Sequence, residues 1–159
     1  GKLESRRLAI PSFNAVSIFN CIGYACADAS LSSVLMNVSA NLIPSGVFVF
    51  DFLNTIAAAS KLRVAETTTA EKDGYQLHRA TFKSFDGISC LLKYDMLYNV
   101  LQCGAPCNSW REEHLVRCFT VPEVREAVLA AGMTPTFHSW RGGKAEGDDF
   151  YILCRAAKQ

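Results

Sequence analysis

Two stretches of the sequence place polar and aromatic side chains directly after predicted buried strands. Asn20 and Tyr24 follow the apolar run 13–19, and Asp51 and Asn54 follow the next such run. Continuously apolar strands are typical of parallel sheets, which bind ligands at the carboxyl ends of their strands. There, Asp51 could face a ligand amine, although it could equally cap a turn. The stretch from Asn20 to Tyr24 could also be a loop that only packs on the core.

A third candidate for chemistry is His114, which lies in a polar stretch with partial strand alternation. We predict that this strand overhangs the ligand site, where an imidazole could act as a general base. His114 could instead be a polar residue on an exposed strand face. The nearby Arg117 and Trp110 could contact a ligand or shape a dimer interface.

Other kinds of site find little support in the sequence. Among the seven cysteines, Cys103 and Cys107 are four residues apart but lack two further ligands at zinc-site spacing, so we predict reduced thiols and no metal site. No serine lies in the elbow motif of a hydrolase. A net charge of +1 gives no reason to expect binding to nucleic acid or to an anionic membrane. No segment reaches the about 20 apolar residues that span a bilayer, and we expect a cytoplasmic protein.

The elements that must position these residues begin in α/β order. Apolar residues recur at helical spacing from Leu31 to Leu42, so that segment predicts an amphipathic helix. A strand, a helix and a second strand predict a parallel pair with a right-handed crossover. The predicted order is strand 13–19, small-residue loop 20–27, helix capped by Asp28 or Ser30, turn 44–46 and strand 47–52.

The middle of the chain has a different pattern. Partial alternation predicts three or four antiparallel strands within an insertion of about 61–119, and Gly104–Trp110 would be a loop. Asp73-Gly74 and Asp86-Gly87 are hairpin turn signals. The predicted strands are 63–71, 75–85, 88–99 and 113–119.

The last part returns to α/β order within what we interpret as a single domain, 1–159. Thr120 begins a capping box with a proline in the first turn, and Gly132 predicts the end of that helix. Strands 134–140 and 150–155 follow, joined by the polar loop 141–149.

Three motifs in this order resemble a known family. They are Phe13–Val16 with Phe19–Tyr24, Leu42–Asp51, and Ala130–Met133. Together they resemble the C-terminal half of the class I S-adenosylmethionine-dependent methyltransferases. The strands after Asn54 resemble a subgroup that includes the amino-sugar N,N-dimethyltransferases. The resemblance implies an α/β fold: a partial Rossmann-like methyltransferase sheet with an inserted antiparallel β-meander and a C-terminal antiparallel hairpin.

The resemblance also implies a cofactor and a set of site residues. The cofactor would be S-adenosylmethionine. The residues implied to contact it are Gly1, Leu3, Phe19 and Asn20. Those implied to contact substrate are Ile22, Gly23, Asp51, Asn54 and Arg117. The implied catalytic residues are Tyr24 and His114.

The departures from the family concern the cofactor. The family's glycine-rich turn after its first strand and the acidic residue ending its second strand have no counterpart here. Lys2 stands where an aspartate is usual. Arg141-Gly142-Gly143 cannot replace the turn, because it joins two predicted strands and opens no helix. We therefore expect this chain to be inactive by itself.

Two hypotheses follow. In the first, the chain belongs to a methyltransferase that acts on a small-molecule amine or hydroxyl, with the cofactor loop supplied by another segment or chain. In the alternative, it is a non-catalytic methyltransferase-fold module for dimerisation or partner binding. A half sheet exposes surface that the missing strands would cover, so we predict a homodimer or a partner chain.

Overall fold

The computed structural model describes residues 12–28, 30–140 and 149–159. Within them the chain forms a mixed α/β fold with two sheets. The strands are β1 (Ser12–Ser17), β2 (Leu42–Leu53), β3 (Ala65–Lys72), β4 (Tyr75–Asp86), β5 (Leu91–Gln102), β6 (Ala105–Arg117), β7 (Met133–Ser139) and β8 (Tyr151–Lys158). The helices are α1 (Cys21–Asp28), α2 (Leu31–Asn41), α3 (Thr55–Lys61) and α4 (Val121–Ala130).

The first sheet has the strand order β1-β2-β8-β7. The predicted parallel pairing of β1 with β2 is confirmed, whereas β8 runs antiparallel to both β2 and β7. The predicted turn at 44–46 is wrong in part, because β2 already begins at Leu42. The pairing instead shifts register between Ser12 and Asn14, opposite a segment in which Ser45 adopts a φ of 65°. The extra residues are absorbed as a bulge.

The main core lies on one face of β2. Phe48, Phe50 and Phe52 alternate along the strand, so their rings form a continuous row on the same side. Ring centroids of the first two lie 4.9 Å apart, and Phe52 meets Phe119 edge-on at 6.3 Å. Residues of α2 and α4 pack against this row, and the two helices also contact each other.

Local capping explains where these helices begin and end. The Ser30 side chain accepts from Ser33 N–H at the start of α2, and Thr120 accepts from Glu123 N–H at the start of α4. Gly132 follows α4 with a φ of 72°, which only glycine adopts at little cost. The predicted helix starts at Ser30 and Thr120 and the predicted end at Gly132 are confirmed, whereas the Glu123 side chain of the predicted capping box pairs with Arg117.

The second sheet has the order β3-β4-β5-β6, and each strand is antiparallel to the next. Asp73 and Gly74 form the tight turn between β3 and β4, with φ values of 51° and 78°. One end of this sheet enters a second core cluster through Leu92 and Val116. Most of β6 is exposed, so the sheet is anchored at that end and open elsewhere.

Two further sequence predictions are wrong, and one helix was not predicted. The segment 20–27, expected to be a loop, is mostly the helix α1, and its Gly23 is buried against a neighbouring strand. The segment Gly104–Trp110, expected to be a loop, belongs to β6 from Ala105 onward. It lacks apolar alternation because both of its faces are exposed. Helix α3 was not predicted, because its sequence is short and lacks helical periodicity.

Candidate functional site

A cavity of about 340 Å³ lies where the carboxyl ends of β1 and β2 meet the anchored end of the second sheet. It therefore occupies the place where open α/β sheets bind ligands. Its walls combine one carboxylate, one amide, several aromatic rings and a few aliphatic groups. The lining residues are Phe19, Asn20, Tyr24, Asp51, Leu53, Tyr94, Met96, Val116, Trp140 and Tyr151.

Asp51 is the carboxylate of the cavity, and it is only 2% exposed. Its Oδ1 accepts a hydrogen bond from the backbone N–H of Asn20 at 2.8 Å. Burial raises the pKa of Asp51, and the backbone hydrogen bonds it receives oppose that rise. A buried carboxylate beside a cavity is suited to receive a cationic or hydrogen-bonding ligand group.

The backbone N–H of Asn20 that bonds to Asp51 lies in a strained turn. Phe19 and Asn20 both adopt left-handed φ values, 60° and 58°, although neither is glycine. Two such residues in succession mark stored strain, which is found most often at functional sites. The Phe19 side chain is 76% exposed, whereas Asn20 is buried and its Oδ1 has no hydrogen-bond partner among the described residues.

Gly23 fixes the position of helix α1 against β6. A Cβ at this position would lie 2.7 Å from Cγ1 of Val116 and 2.8 Å from the carbonyl oxygen of Arg117. It would also lie 2.8 Å from Oδ1 of Asn20. A glycine is therefore required here by close packing, and this packing brings the next residue of α1 over the cavity.

That next residue, Tyr24, joins the cavity to β6. Its hydroxyl lies 3.2 Å from Nδ1 of His114, and the two rings meet edge-on with centroids 5.6 Å apart. Partial burial raises the pKa of Tyr24. His114 itself is not among the residues that line the cavity. The structure thus brings the two predicted catalytic residues together, with Tyr24 nearer to the space where a ligand would lie.

Two further tyrosines form an apolar wall. Burial raises the pKa of Tyr94 and of Tyr151, and neighbouring ionisable groups raise both further; Asp51 is one such neighbour of Tyr151. Both phenols are therefore neutral under ordinary conditions, and their rings present aromatic faces to the cavity.

The other predicted site residues have structural partners. Ile22 belongs to the main core, and the Asn54 side chain caps α3 by accepting from Ile56 N–H at 3.1 Å. Arg117 donates to Oε1 of Glu123 at 2.8 Å and lies over the Phe119 ring. None of these three predicted residues lines the cavity. The predicted cofactor contacts Gly1 and Leu3 lie outside the described residues.

Several lining residues were not predicted from sequence, namely Leu53, Tyr94, Met96, Val116, Trp140 and Tyr151. The sequence carried a partial signal for two of them. Tyr94 and Met96 are two residues apart in β5, so they share one face of the sheet. Whether this face of β5 lies against the first sheet depends on how the two sheets pack together, and a local sequence pattern does not predict that packing.

Two features are absent from the part of the chain that the structure describes. Within residues 12–28, 30–140 and 149–159, no group of three or more metal-binding side chains comes together. In the same part of the chain, no helix has the length and apolarity needed to cross a membrane.

The fold matches solved methyltransferases. DesVI from Streptomyces venezuelae is 18% identical with a TM-score of 0.78, over 97% of this chain and 61% of its own length. S-adenosylmethionine-bound CalS10 from Micromonospora echinaspora, an amino pentose methyltransferase, is 17% identical with a TM-score of 0.73, over 97% of this chain and 61% of its own. The sugar N-methyltransferase KedS8 from Streptoalloteichus is 17% identical with a TM-score of 0.77, over 97% and 59%.

These matches place the chain in the fold of the S-adenosylmethionine-dependent methyltransferases, as part of such a domain. The chain spans about three fifths of the length of these neighbours. No family model matches the sequence, and no curated protein matches it.

Proposed function

We propose that this chain is the substrate-binding part of a methyltransferase that uses S-adenosylmethionine to methylate a small-molecule amine. The observation that carries the proposal is Asp51, a buried carboxylate that opens onto an aromatic cavity at the carboxyl end of β2. The fold match supports the methyltransferase part. Among the matched structures are an amino pentose methyltransferase and a sugar N-methyltransferase, which supports an amine acceptor.

The residues present fit one side of the cofactor. Phe19 offers an exposed ring beside the cavity, and the strained turn at Asn20 leaves a buried amide oxygen without a partner among the described residues. We propose that these two residues contact the cofactor, together with Gly1 and Leu3. When bound, the cofactor supplies a methyl group on a positively charged sulfur.

Charge distinguishes an amine from a hydroxyl in this cavity. An ammonium group would pair with the carboxylate of Asp51, and the rings of Tyr94, Tyr151 and Trp140 would attract the same positive charge through their faces. A hydroxyl would leave the carboxylate, which is only 2% exposed, without a cationic partner, and that is costly. We therefore propose the amine as the acceptor.

The protein's contribution to the reaction would be position and exclusion of water. The acceptor nitrogen must point its lone pair along the line of the bond that breaks, and Asp51 with the aromatic wall would hold it there. The apolar residues Leu53, Met96 and Val116 would keep the cavity dry.

We further propose that β3 to β6 are the antiparallel meander seen in the amino-sugar subgroup, inserted at about 61–119 of a single domain. In the same assignment β7 and β8 are the C-terminal hairpin that closes the sheet. The glycine-rich cofactor turn would then come from another segment or from a partner chain.

The first experiment is calorimetry with the 159-residue chain. The chain would first be titrated with S-adenosylhomocysteine. It would then be titrated separately with glucosamine and with glucose, two sugars of similar shape that differ by an amine in place of a hydroxyl. We expect glucosamine to bind at least tenfold more tightly than glucose, because only the amine can pair with Asp51. In Asp51→Asn that preference should disappear.

The matched control is Asp95→Asn, which removes a carboxylate of the second sheet that pairs with Arg111 and does not line the cavity, and it should leave the preference intact. Equal binding of glucosamine and glucose would contradict the amine assignment. A preference that survives Asp51→Asn would contradict the role of that residue.

The alternative function is a non-catalytic module that binds a second copy or a partner chain. It is favoured by the edge strand β1, which pairs only with β2 among the described residues and has Val16 67% exposed; Phe19, just after the strand, is 76% exposed. In this case no heat would be seen with S-adenosylhomocysteine even at millimolar concentration, and the solution mass would exceed that of one chain. Cofactor binding by a monomer would contradict it.

A further inference from the structure

We propose that Glu112 is a positioning residue: it orients His114 so that the Tyr24 hydroxyl, and not the imidazole, receives the proton leaving the acceptor amine. The inference rests on the proposed methyl transfer to an amine. It adds a hydrogen-bonded route from the cavity to the protein surface, Tyr24 to His114 to Glu112.

The contacts of Glu112 define its role. Its Oε1 accepts from Nε1 of Trp110 at 3.0 Å, and its Oε2 lies 3.5 Å from Nε2 of His114. The Trp110 ring stacks on Tyr98 with centroids 4.7 Å apart and an angle of 4°. The stacking on Tyr98 thus fixes the orientation of the Trp110 ring, and the hydrogen bond from Trp110 fixes the position of the Glu112 carboxylate. The hydrogen bonds from Trp110 and His114 lower the pKa of Glu112, so it is an anion at neutral pH.

An anionic carboxylate only accepts hydrogen bonds, so its contact with His114 favours one tautomer of the imidazole. In that tautomer Nε2 of His114 carries the proton that faces Glu112. In the neutral ring Nδ1 is then an acceptor, so the Tyr24 hydroxyl at 3.2 Å must be the donor. The hydroxyl oxygen keeps its lone pairs, and because Tyr24 lines the cavity they are available to a ligand there.

The acceptor amine would enter as an ammonium ion and must lose a proton before it can attack. One N–H bond breaks, and its proton forms a new O–H bond on Tyr24. The original Tyr24 proton moves to Nδ1 of His114, which becomes an imidazolium beside the anionic Glu112. Tyr24 ends neutral, as it began, and the amine has regained its lone pair.

The groups around His114 are consistent with this route. Tyr24 comes from α1, Glu112 and Trp110 come from β6 itself, and Tyr94 lies directly opposite on β5. Glu112 supplies the negative charge at the surface end. His114 and Glu112 remain partly exposed, with side-chain exposures of 32% and 44%, so the proton can pass from the imidazolium to water.

The test is the tautomer of neutral His114, read from its ring nitrogen and carbon NMR shifts near pH 9, where imidazoles are uncharged. We expect the Nε2–H form to dominate in the 159-residue chain. In Glu112→Ala the fraction of the Nδ1–H form should rise roughly threefold or more, because the acceptor at Nε2 is lost. His78 and His138 provide reference signals in the same spectra.

Glu113→Ala is the control, since Glu113 is the adjacent carboxylate but pairs with Lys93 and Arg111 instead. It should leave the His114 tautomer unchanged. The proposal would be overturned by a His114 tautomer ratio that Glu112→Ala does not move, or that Glu113→Ala moves as much. This measurement needs neither cofactor nor acceptor, so its failure is separate from a failure of the calorimetric test above.

Discussion

The two sheets of this molecule are stabilised differently. In the first sheet, β2 buries three phenylalanines in a row under α2 and α4, and Phe50 and Phe52 are fully excluded from solvent. In the second sheet only one end is buried, around Leu92 and Val116, and most of β6 is exposed. Packing holds the first sheet, whereas backbone pairing and cross-strand contacts hold the second.

The difference explains where the cavity lies. The first sheet gives a rigid base that carries Asp51 and the strained turn at Asn20. The second sheet contributes Tyr94, Met96 and Val116, all from its anchored end. A well-packed base with a more open cover leaves a cavity that a ligand can enter from solvent.

The largest expected effect comes from replacing one phenylalanine in each sheet by alanine and comparing the losses in the free energy of unfolding. Phe52→Ala should destabilise the chain by about 3–5 kcal/mol, because its ring contacts those of Phe50, Phe119 and Phe137 in the core. Phe82→Ala, in the second sheet, should cost less than about 1 kcal/mol, because Phe82 is 47% exposed. Urea unfolding of both variants measures the two free energies. Similar losses would contradict the contrast.

A smaller effect is expected at the junction of the two sheets. Gly23→Ala would force a methyl group to within 2.7 Å of Val116 and should cost about 1–3 kcal/mol. Gly87→Ala is the matched control, since its nearest neighbour would be 3.9 Å away. Thermal unfolding compares the two. If Gly23→Ala melted at the temperature of the control, α1 would not be tightly docked on β6.

The smallest effect concerns the cavity charge. Because burial raises the pKa of Asp51 above its unfolded value, ionised Asp51 makes the fold less stable once the pH rises through the folded pKa. Asp51→Asn should therefore be slightly more stable than the parent chain at neutral pH. Below the ordinary carboxyl pKa of about 3.9 the advantage should vanish. Melting temperatures across this range test it; a variant less stable at pH 7 would contradict it.

The sequence predicted the parallel pair β1–β2, the starts of α2 and α4 and the end of α4, because apolar runs and capping residues are local signals. Ser30, Thr120 and Gly132 each act on residues within four positions of themselves. It failed at 105–110, because that part of β6 is held by its partner β5 and not by its own pattern. Pro106 is tolerated there because β6 is an edge strand and the residue lies next to a shift in the pairing register.

The candidate site was predictable to the extent that it lies at strand ends. Asn20, Tyr24 and Asp51 were named from that rule, and all three line the cavity. Ile22 and Asn54 were named from the same neighbourhood, but their side chains point into the core and onto the start of α3. The direction of a side chain at a strand end depends on the backbone φ. Residues 19 and 20 both have positive φ values, and because neither is glycine the sequence does not predict them.

The cavity draws its walls from segments near residues 20, 52, 95, 116, 140 and 151, nearly the whole span of the described chain. No fragment shorter than that span can form it, so its geometry exists only in the cooperative native state. A molecule that binds there would favour that state over the denatured ensemble in proportion to the logarithm of its concentration. A ligand of this cavity should therefore raise the melting temperature of the entire chain, and a rise that Asp51→Asn removes would assign the binding to the cavity.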